Sequence, residues 1–231
     1  MKTIIFDVDD TLYDQLSPFK QAIATHLDGF IAEEDILPLY LSSRKYSDEV
    51  FEKHMSGEIT ALDLQIYRIM NACADFQIPL TKEDAISFQQ TYYNKQQEIQ
   101  LFPEVEELFH FLYEKKFQLA ILTNGEDAHQ ARKIKQLQLE KWIPTQHIFV
   151  SGAIGYSKPD PRVFQHIEDR LAISKEETIY IGDSYENDIV GAKQVGWKAI
   201  WFNHRQREIE GKTVDADYTI HKASDLLSIF I

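Results

Sequence analysis

The sequence predicts an α/β protein: a parallel sheet covered by helices on both faces, interrupted early by an all-helical insert. Three observations carry that expectation. From about residue 100 onward, short apolar runs alternate with helical patterns, as a parallel sheet with crossover helices requires. One more apolar run, Thr3 to Val8, stands ahead of them. Between about Ser17 and Gln100 there is no convincing strand, and apolar residues fall at helical spacing.

The elements follow in order. Thr3 to Val8 ends in carboxylates and reads as a short buried strand. Phe19, Ile23 and Leu27 share one helical face, as do Leu62, Ile66 and Ile69. The pattern changes at Leu101-Phe102-Pro103-Glu104, where Pro103 suits a first helical turn. Val105, Leu108, Phe109 and Leu112 continue that helix. Then come a strand over Phe117 to Leu122, a helix over Glu126 to Leu139, and a short strand over His147 to Val150. Pro161 to Ala172 is a helix and Thr178 to Ile181 a strand. Tyr185 to Val195 is a helix closed by Gly196. Lys198 to Phe202 and Tyr218 to Ile220 are strands, and Ser224 to Phe230 is the last helix. The expected organisation is a discontinuous core, residues 1–15 and 100–231, with a helical insert over residues 16–99.

Composition limits the function. A chain of 231 residues can bury one sizeable core, or a core plus a small insert. No apolar run approaches the ~18 residues of a membrane span. The stretch before Asp7 has one basic residue and a short apolar run, too little for a secretory signal, so a cytoplasmic location is expected. The single cysteine, Cys73, excludes an internal disulfide and a thiolate zinc site. It reads as a small buried apolar residue. A formal charge of −13 argues against a nucleic-acid polymer as partner. A small anionic substrate stays open, because a metal and one or two cations can reverse the field locally.

Ligands of parallel sheets bind outside the carboxyl ends of the strands. Four such segments hold the chemically suggestive residues. Asp7-Val8-Asp9-Asp10-Thr11-Leu12 places three carboxylates after a strand, with Asp7 and Asp9 on one side if the chain stays extended. Carboxylates this crowded need a counter-ion, and oxygen-only ligation suits magnesium. Alone, the segment also reads as a solvated acidic turn. Thr123-Asn124-Gly125 offers neutral phosphate donors before a helix N-terminus, or a turn with Asn124 as cap. In Tyr156-Ser157-Lys158-Pro159-Asp160-Pro161 the prolines stiffen the chain around a lysine. That lysine can balance an anion, or sit at the surface in a Pro-rich turn. In Ile181-Gly182-Asp183 and on to Asp188, Gly182 permits a tight turn off the strand and Asp183 can reach a metal. Asp188 falls in a first helical turn, where the macrodipole favours it. Capping by Asp183, with Asp188 as dipole complement, can hold alongside that reading, but it does not explain why this segment coincides with the other three.

In their order and at these strand ends, the segments resemble the four motifs of the haloacid dehalogenase (HAD) superfamily. Asp-x-Asp-x-Thr-Leu is similar to the first motif, where the family commonly has Gly in place of Asp10. Thr123-Asn124-Gly125, Lys158-Pro159-Asp160-Pro161 and Gly182-Asp183 through Asp188 are similar to the second, third and fourth. The resemblance covers about residues 1–15 and 100–231, and the position of the insert looks like the small cap of the family's first subgroup. It implies a Rossmann-like core in which Asp7 attacks phosphorus to form an aspartyl-phosphate. Asp9 would protonate the leaving oxygen and then activate water. Thr11, Thr123, Asn124 and Lys158 would bind the substrate phosphate. Asp7, Asp183 and Asp188 would hold magnesium, Asp188 directly or through water, with Asp9 contributing its backbone carbonyl. The implied function is magnesium-dependent hydrolysis of a small phosphorylated metabolite, a nucleotide or a sugar phosphate, with the cap choosing the leaving group. A phosphomutase shares these motifs and differs mainly in the cap. A dehalogenase of this fold lacks a carboxylate at the Asp9 position and needs no metal. A non-catalytic binding module usually lacks the nucleophile, the acid/base or the lysine. Tyr13 and Phe19 can line the pocket, or serve as linker anchor and cap core.

Overall fold

The computed structural model describes residues 2–230. The chain divides into two compact units, Met1–Asp14 with Gln100–Ile231, and Gln15–Ile99. Strand β1 (Thr3–Phe6) opens the first unit. The second unit is built from α1 (Leu16–His26), α2 (Glu33–Met55), α3 (Ala61–Asp75) and α4 (Lys82–Lys95). The first unit resumes with α5 (Pro103–Glu114), β2 (Gln118–Thr123), α6 (Asp127–Gln136) and β3 (Ile148–Val150). A single turn, α7 (Ser151–Ile154), precedes α8 (Pro161–Leu171) and β4 (Thr178–Gly182). A π-helical stretch, Tyr185–Val190, runs into α9 (Gly191–Gln194). β5 (Lys198–Phe202), β6 (Tyr218–Ile220) and α10 (Ala223–Phe230) finish the chain.

The six strands form one parallel sheet in the order β3-β2-β1-β4-β5-β6. β1 lies between β2 and β4, with Phe6 opposite Ile121 on one side and Ile181 on the other. The strand order reverses here, so the residues following β1, β2 and β4 emerge side by side at one edge. β1 stops at Phe6 rather than Val8, although Asp7 N still donates to Ile181 O at 2.9 Å.

Alternation sends neighbouring β1 side chains to opposite faces. Ile5 joins Ala120, Leu122, Phe164, Tyr180 and Trp197 in one buried cluster. Phe6 meets Phe109 of α5 edge-on at 5.0 Å, and Phe109 stacks on Trp142 at 5.3 Å. Where one helix is expected over Tyr185 to Val195, the structure has a π-helical stretch followed by one α-helical turn. Both windings keep the same buried stripe over so short a run, so apolar spacing does not separate them. Gly196, at φ 87°, closes this helix as its left-handed cap, and Trp197 N donates to Ala192 O at 3.0 Å.

In the second unit every described element is helical. Phe19 is its aromatic centre, edge-on to Tyr40 and Phe88 at 5.4 Å and to Tyr92 at 5.7 Å. Ile23, Leu27, Ile66 and Ile69 are buried as their spacing predicts, whereas Leu62 is 45% exposed in the first turn of α3. Thr60 with Asp63, and Thr81 with Asp84, close reciprocal capping boxes at the starts of α3 and α4. Cys73 is buried in this core, and burial pushes its thiol up to about 12, so it packs rather than reacts. No described helix is long and apolar enough to cross a membrane. Phe19→Ala is expected to cost about 3–5 kcal/mol, the usual penalty for emptying a buried phenylalanine site. Denaturant unfolding of the full chain checks this.

Candidate active site

The three central strand ends converge on one ammonium group. Lys158 follows β3 and the α7 turn, and it is 4% exposed. Its Nζ donates to Asp7 Oδ1 at 2.7 Å, to Asp188 Oδ1 at 2.6 Å and to the Tyr180 hydroxyl at 2.8 Å. The Tyr180 hydroxyl in turn donates to Leu122 O at 2.9 Å, which ties the lysine to β2. The Lys158–Pro159 peptide bond is cis. The backbone of Lys158 is held by Asn124: its Nδ2 donates to Lys158 O and its Oδ1 accepts from Lys158 N, both at 2.9 Å. The sequence offers Asn124 as a phosphate donor or as a cap, and in the structure both ends of its amide hold the lysine segment.

Asp7, Asp183 and Asp188 are all buried, and each brings a carboxylate oxygen to within 4.8 Å of the others. All three donors are oxygen, the set that hard divalent cations prefer. Against them stand Lys158 and Arg207, whose Nη2 donates to Asp183 Oδ2 at 2.7 Å. Burial pushes Asp7 up from 3.8 to about 7. Lys158 opposes this, while Asp188 and Asp9 add to it. Burial likewise raises Asp183 well above the usual carboxylate range, against the pull of Arg207. A buried group of carboxylates that resists full ionisation is one that a cation would relieve.

Gly182, read from the sequence as permitting a tight turn, also makes room for a carboxylate. A Cβ at this position would lie 2.3 Å from Asp188 Oδ2, so only glycine lets that carboxylate lie against the strand end. Asp188 Oδ2 also accepts from Ser184 N at 2.9 Å. Asp183 is fixed through its carbonyl, which accepts from Trp201 Nε1 at 2.8 Å. Thr11 is fully buried, with its hydroxyl 3.4 Å from Asp7 Oδ2. Thr123 Oγ1, at the end of β2, is buried and finds no hydrogen-bond partner among the described residues.

Asp9 does not join the three-carboxylate group. The strand ends at Phe6 and a turn begins at Asp9, whose carboxylate meets Lys133 Nζ at 2.7 Å through both oxygens. Gln130 Nε2 donates to it at 2.9 Å, and the Tyr13 hydroxyl donates to it as well. Burial acts upward on this carboxyl, but the charge of Lys133 and the hydrogen bonds from Lys133, Tyr13 and Gln130 outweigh it and hold it well below the usual range. Asp10 turns away altogether. It adopts a left-handed backbone, φ 59°, and its carboxylate takes Arg205 at 2.7 and 3.1 Å, while His204 Nε2 donates to its carbonyl at 2.8 Å. Arg205 also pairs with Asp14.

Lys133, Gln130, His204, Arg205 and Arg207 are the polar neighbours that the sequence does not mark as site residues. For Lys133 and Gln130 a signal exists. They lie on the buried stripe of α6 with Ile134 and Leu137, and a lysine on such a stripe needs a partner. Residues 204–207 lie in the connection between β5 and β6, where no periodicity marks them. Of the two aromatic residues with open readings, Phe19 is core of the helical unit and Tyr13 is a hydrogen-bond donor to Asp9.

A family model described as haloacid dehalogenase-like hydrolase matches residues 1–196. The chain belongs to that family. This HAD hydrolase is similar to the glyceraldehyde 3-phosphate phosphatase of Pyrococcus furiosus, 26% identical over 242 residues, covering 99% of this chain and 92% of that protein. It is also similar to the pyrimidine 5′-nucleotidase PynA of Streptococcus pneumoniae, 26% identical over 230 residues, covering 98% of this chain and 93% of that one. Among solved structures, the HAD-hydrolase YfnB of Bacillus subtilis, described as bound to magnesium, superposes with a TM-score of 0.72. That match is 24% identical and covers 99% of this chain and 97% of the other, and it carries the likeness of fold.

The raised Asp7 carboxyl sets a pH dependence for the metal-free HAD hydrolase. Between about pH 4 and 7 the folded chain holds a proton on Asp7 that the unfolded chain has released, so stability falls as pH rises through that window. Asp7→Asn should flatten part of that slope, and Asp183, shifted the same way, should retain the rest. Denaturant titrations in EDTA across the window measure both slopes.

Proposed function

We propose that this HAD hydrolase releases phosphate from monoesters of small metabolites, with Asp7 as nucleophile. The observation that carries the reading is Asp7 at the end of the central strand, held by Lys158 in a buried group with Asp183 and Asp188. The donor set fits magnesium: Asp7, Asp183 and Asp188 would hold it by carboxylate oxygen and Asp9 by its backbone carbonyl. When bound, it would supply the charge neutralisation that phosphoryl transfer chiefly needs.

The remaining roles fall to this chain's own side chains. Asp7 attacks phosphorus, and the ester oxygen leaves with a proton from Asp9. Water, deprotonated by Asp9, then displaces Asp7 from the aspartyl-phosphate and releases phosphate. Lys158 steadies Asp7 and the incoming phosphate, and the unpartnered Thr123 hydroxyl donates to a phosphate oxygen. Thr11 supports Asp7 through its hydroxyl, and Asn124 acts on the phosphate by holding Lys158 in place. The helical unit Gln15–Ile99 stands in sequence where the family's first subgroup carries its small cap, and the choice of leaving group is assigned to it on that likeness. The two curated relatives are named for a triose phosphate and a pyrimidine nucleotide, which supports a small phosphorylated metabolite as the substrate class. Asp9, Asp183 and Asp188 favour this reading over a dehalogenase, whose branch lacks the Asp9 carboxylate.

Phosphate release from a panel of p-nitrophenyl phosphate, nucleotides and sugar phosphates should require magnesium and stop with EDTA. Asp7→Asn should abolish it; turnover near the wild-type rate in that variant would sink the assignment. Gly182→Ala forces the Asp188 carboxylate off the strand end, and it should weaken metal affinity roughly 10–100-fold, the range seen when support for a ligand is lost. A titration with manganese followed by paramagnetic resonance checks this without reference to turnover.

A further inference from the structure

Asp9 is gripped more closely than its proposed role alone requires. Lys133 Nζ donates to both of its oxygens at 2.7 Å, Gln130 Nε2 to Oδ2 at 2.9 Å, and the Tyr13 hydroxyl to Oδ1. Lys133 is 4% exposed, Gln130 2% and Tyr13 fully buried, so this is a built site and not a chance surface contact. Lys133 and Gln130 are three residues apart on α6 and therefore face the same way. Gln130 Nε2 also donates to Asn124 O at 3.0 Å, which ties the clamp to the segment after β2. The Asp9 side chain keeps 21% of its surface open despite the three donors. Burying an ammonium is costly, and packing α6 onto the sheet would be served better by an apolar residue of the same length. The cost is consistent with a site that needs one carboxylate in one orientation.

We propose that Lys133 is a positioning residue for the hydrolytic half of the reaction. With Gln130 and Tyr13 it fixes the Asp9 carboxylate so that its open side takes the proton of the attacking water. In that step the water oxygen bonds to phosphorus, the bond from phosphorus to the Asp7 oxygen breaks with its electron pair returning to Asp7, and the water proton passes to Asp9. The inference rests on the phosphatase reading.

The two half-reactions separate with p-nitrophenyl phosphate, because p-nitrophenolate departs without an acid, while hydrolysis of the aspartyl-phosphate still needs the base. In stopped flow with magnesium, Lys133→Met should release a burst of about one p-nitrophenolate per site at a rate within about threefold of wild type. Steady turnover should then fall roughly 10–100-fold, the scale of loss from a misplaced catalytic group. Acid-quenched intact mass spectrometry should find the phosphorylated protein accumulated, and Lys133→Arg should recover part of the turnover. Burst and turnover falling together would mark a merely structural lysine and overturn the proposal, as would unchanged turnover. If circular dichroism shows Lys133→Met unfolded, Gln130→Met takes its place and should give the same split with a smaller loss. Wild-type protein that releases no phosphate from any panel member removes the phosphatase reading and this proposal together. Active wild type with no split in the variants removes the proposal alone.

Discussion

A buried ammonium group must be answered by carboxylates, and in this fold Lys158 is the ammonium around which the first unit's functional edge is arranged. Its three short bonds reach Asp7 after β1, Asp188 after β4 and Tyr180 within β4. Losing one partner of such a pair would leave a buried charge uncompensated, at about 3–5 kcal/mol. The segments that meet at the lysine are therefore bound to one another as well as to the sheet. Asn124 adds a second restraint by holding the lysine's own peptide groups, so the loop from which Lys158 arises is fixed along with its tip.

The sheet makes this possible. Because β1 lies between β2 and β4, residues more than a hundred positions apart in sequence leave adjacent strands at the same height. The apolar strands supply stability, and the charged residues sit just beyond their ends. Gly182 shows how closely the two are joined: the strand's last residue has no side chain because a carboxylate occupies that space.

Charge balance extends beyond the lysine. The chain is strongly acidic, yet each carboxylate of the Asp7-to-Asp10 segment has a cation set against it. Lys158 meets Asp7, Lys133 meets Asp9, and Arg205 meets Asp10. Arg207 does the same for Asp183. Where the family commonly has glycine, Asp10 keeps the left-handed backbone that glycine would adopt. It is held there by Arg205 and by the hydrogen bond from His204 to its carbonyl. The departure from the family pattern is thus matched by residues in the connection between β5 and β6.

Periodicity and strand-end chemistry by themselves determined the α/β core, the helical character of the region after residue 15, and each of the six described strands, because burial on a sheet leaves apolar runs that are local in sequence. They also marked Asp7, Asp183, Asp188, Lys158 and Thr123, since each follows a strand or opens a helix. Only the tertiary structure decided which carboxylates share a site. Asp7 and Asp9 are two residues apart, yet the turn after β1 sends one to Lys158 and the other to Lys133. It also decided that Asn124 holds backbone, that Gly182 makes room for Asp188, and that Tyr185–Val190 winds as a π-helix. These depend on contacts between residues far apart in the chain, and such contacts leave no period in the sequence from which they could be read.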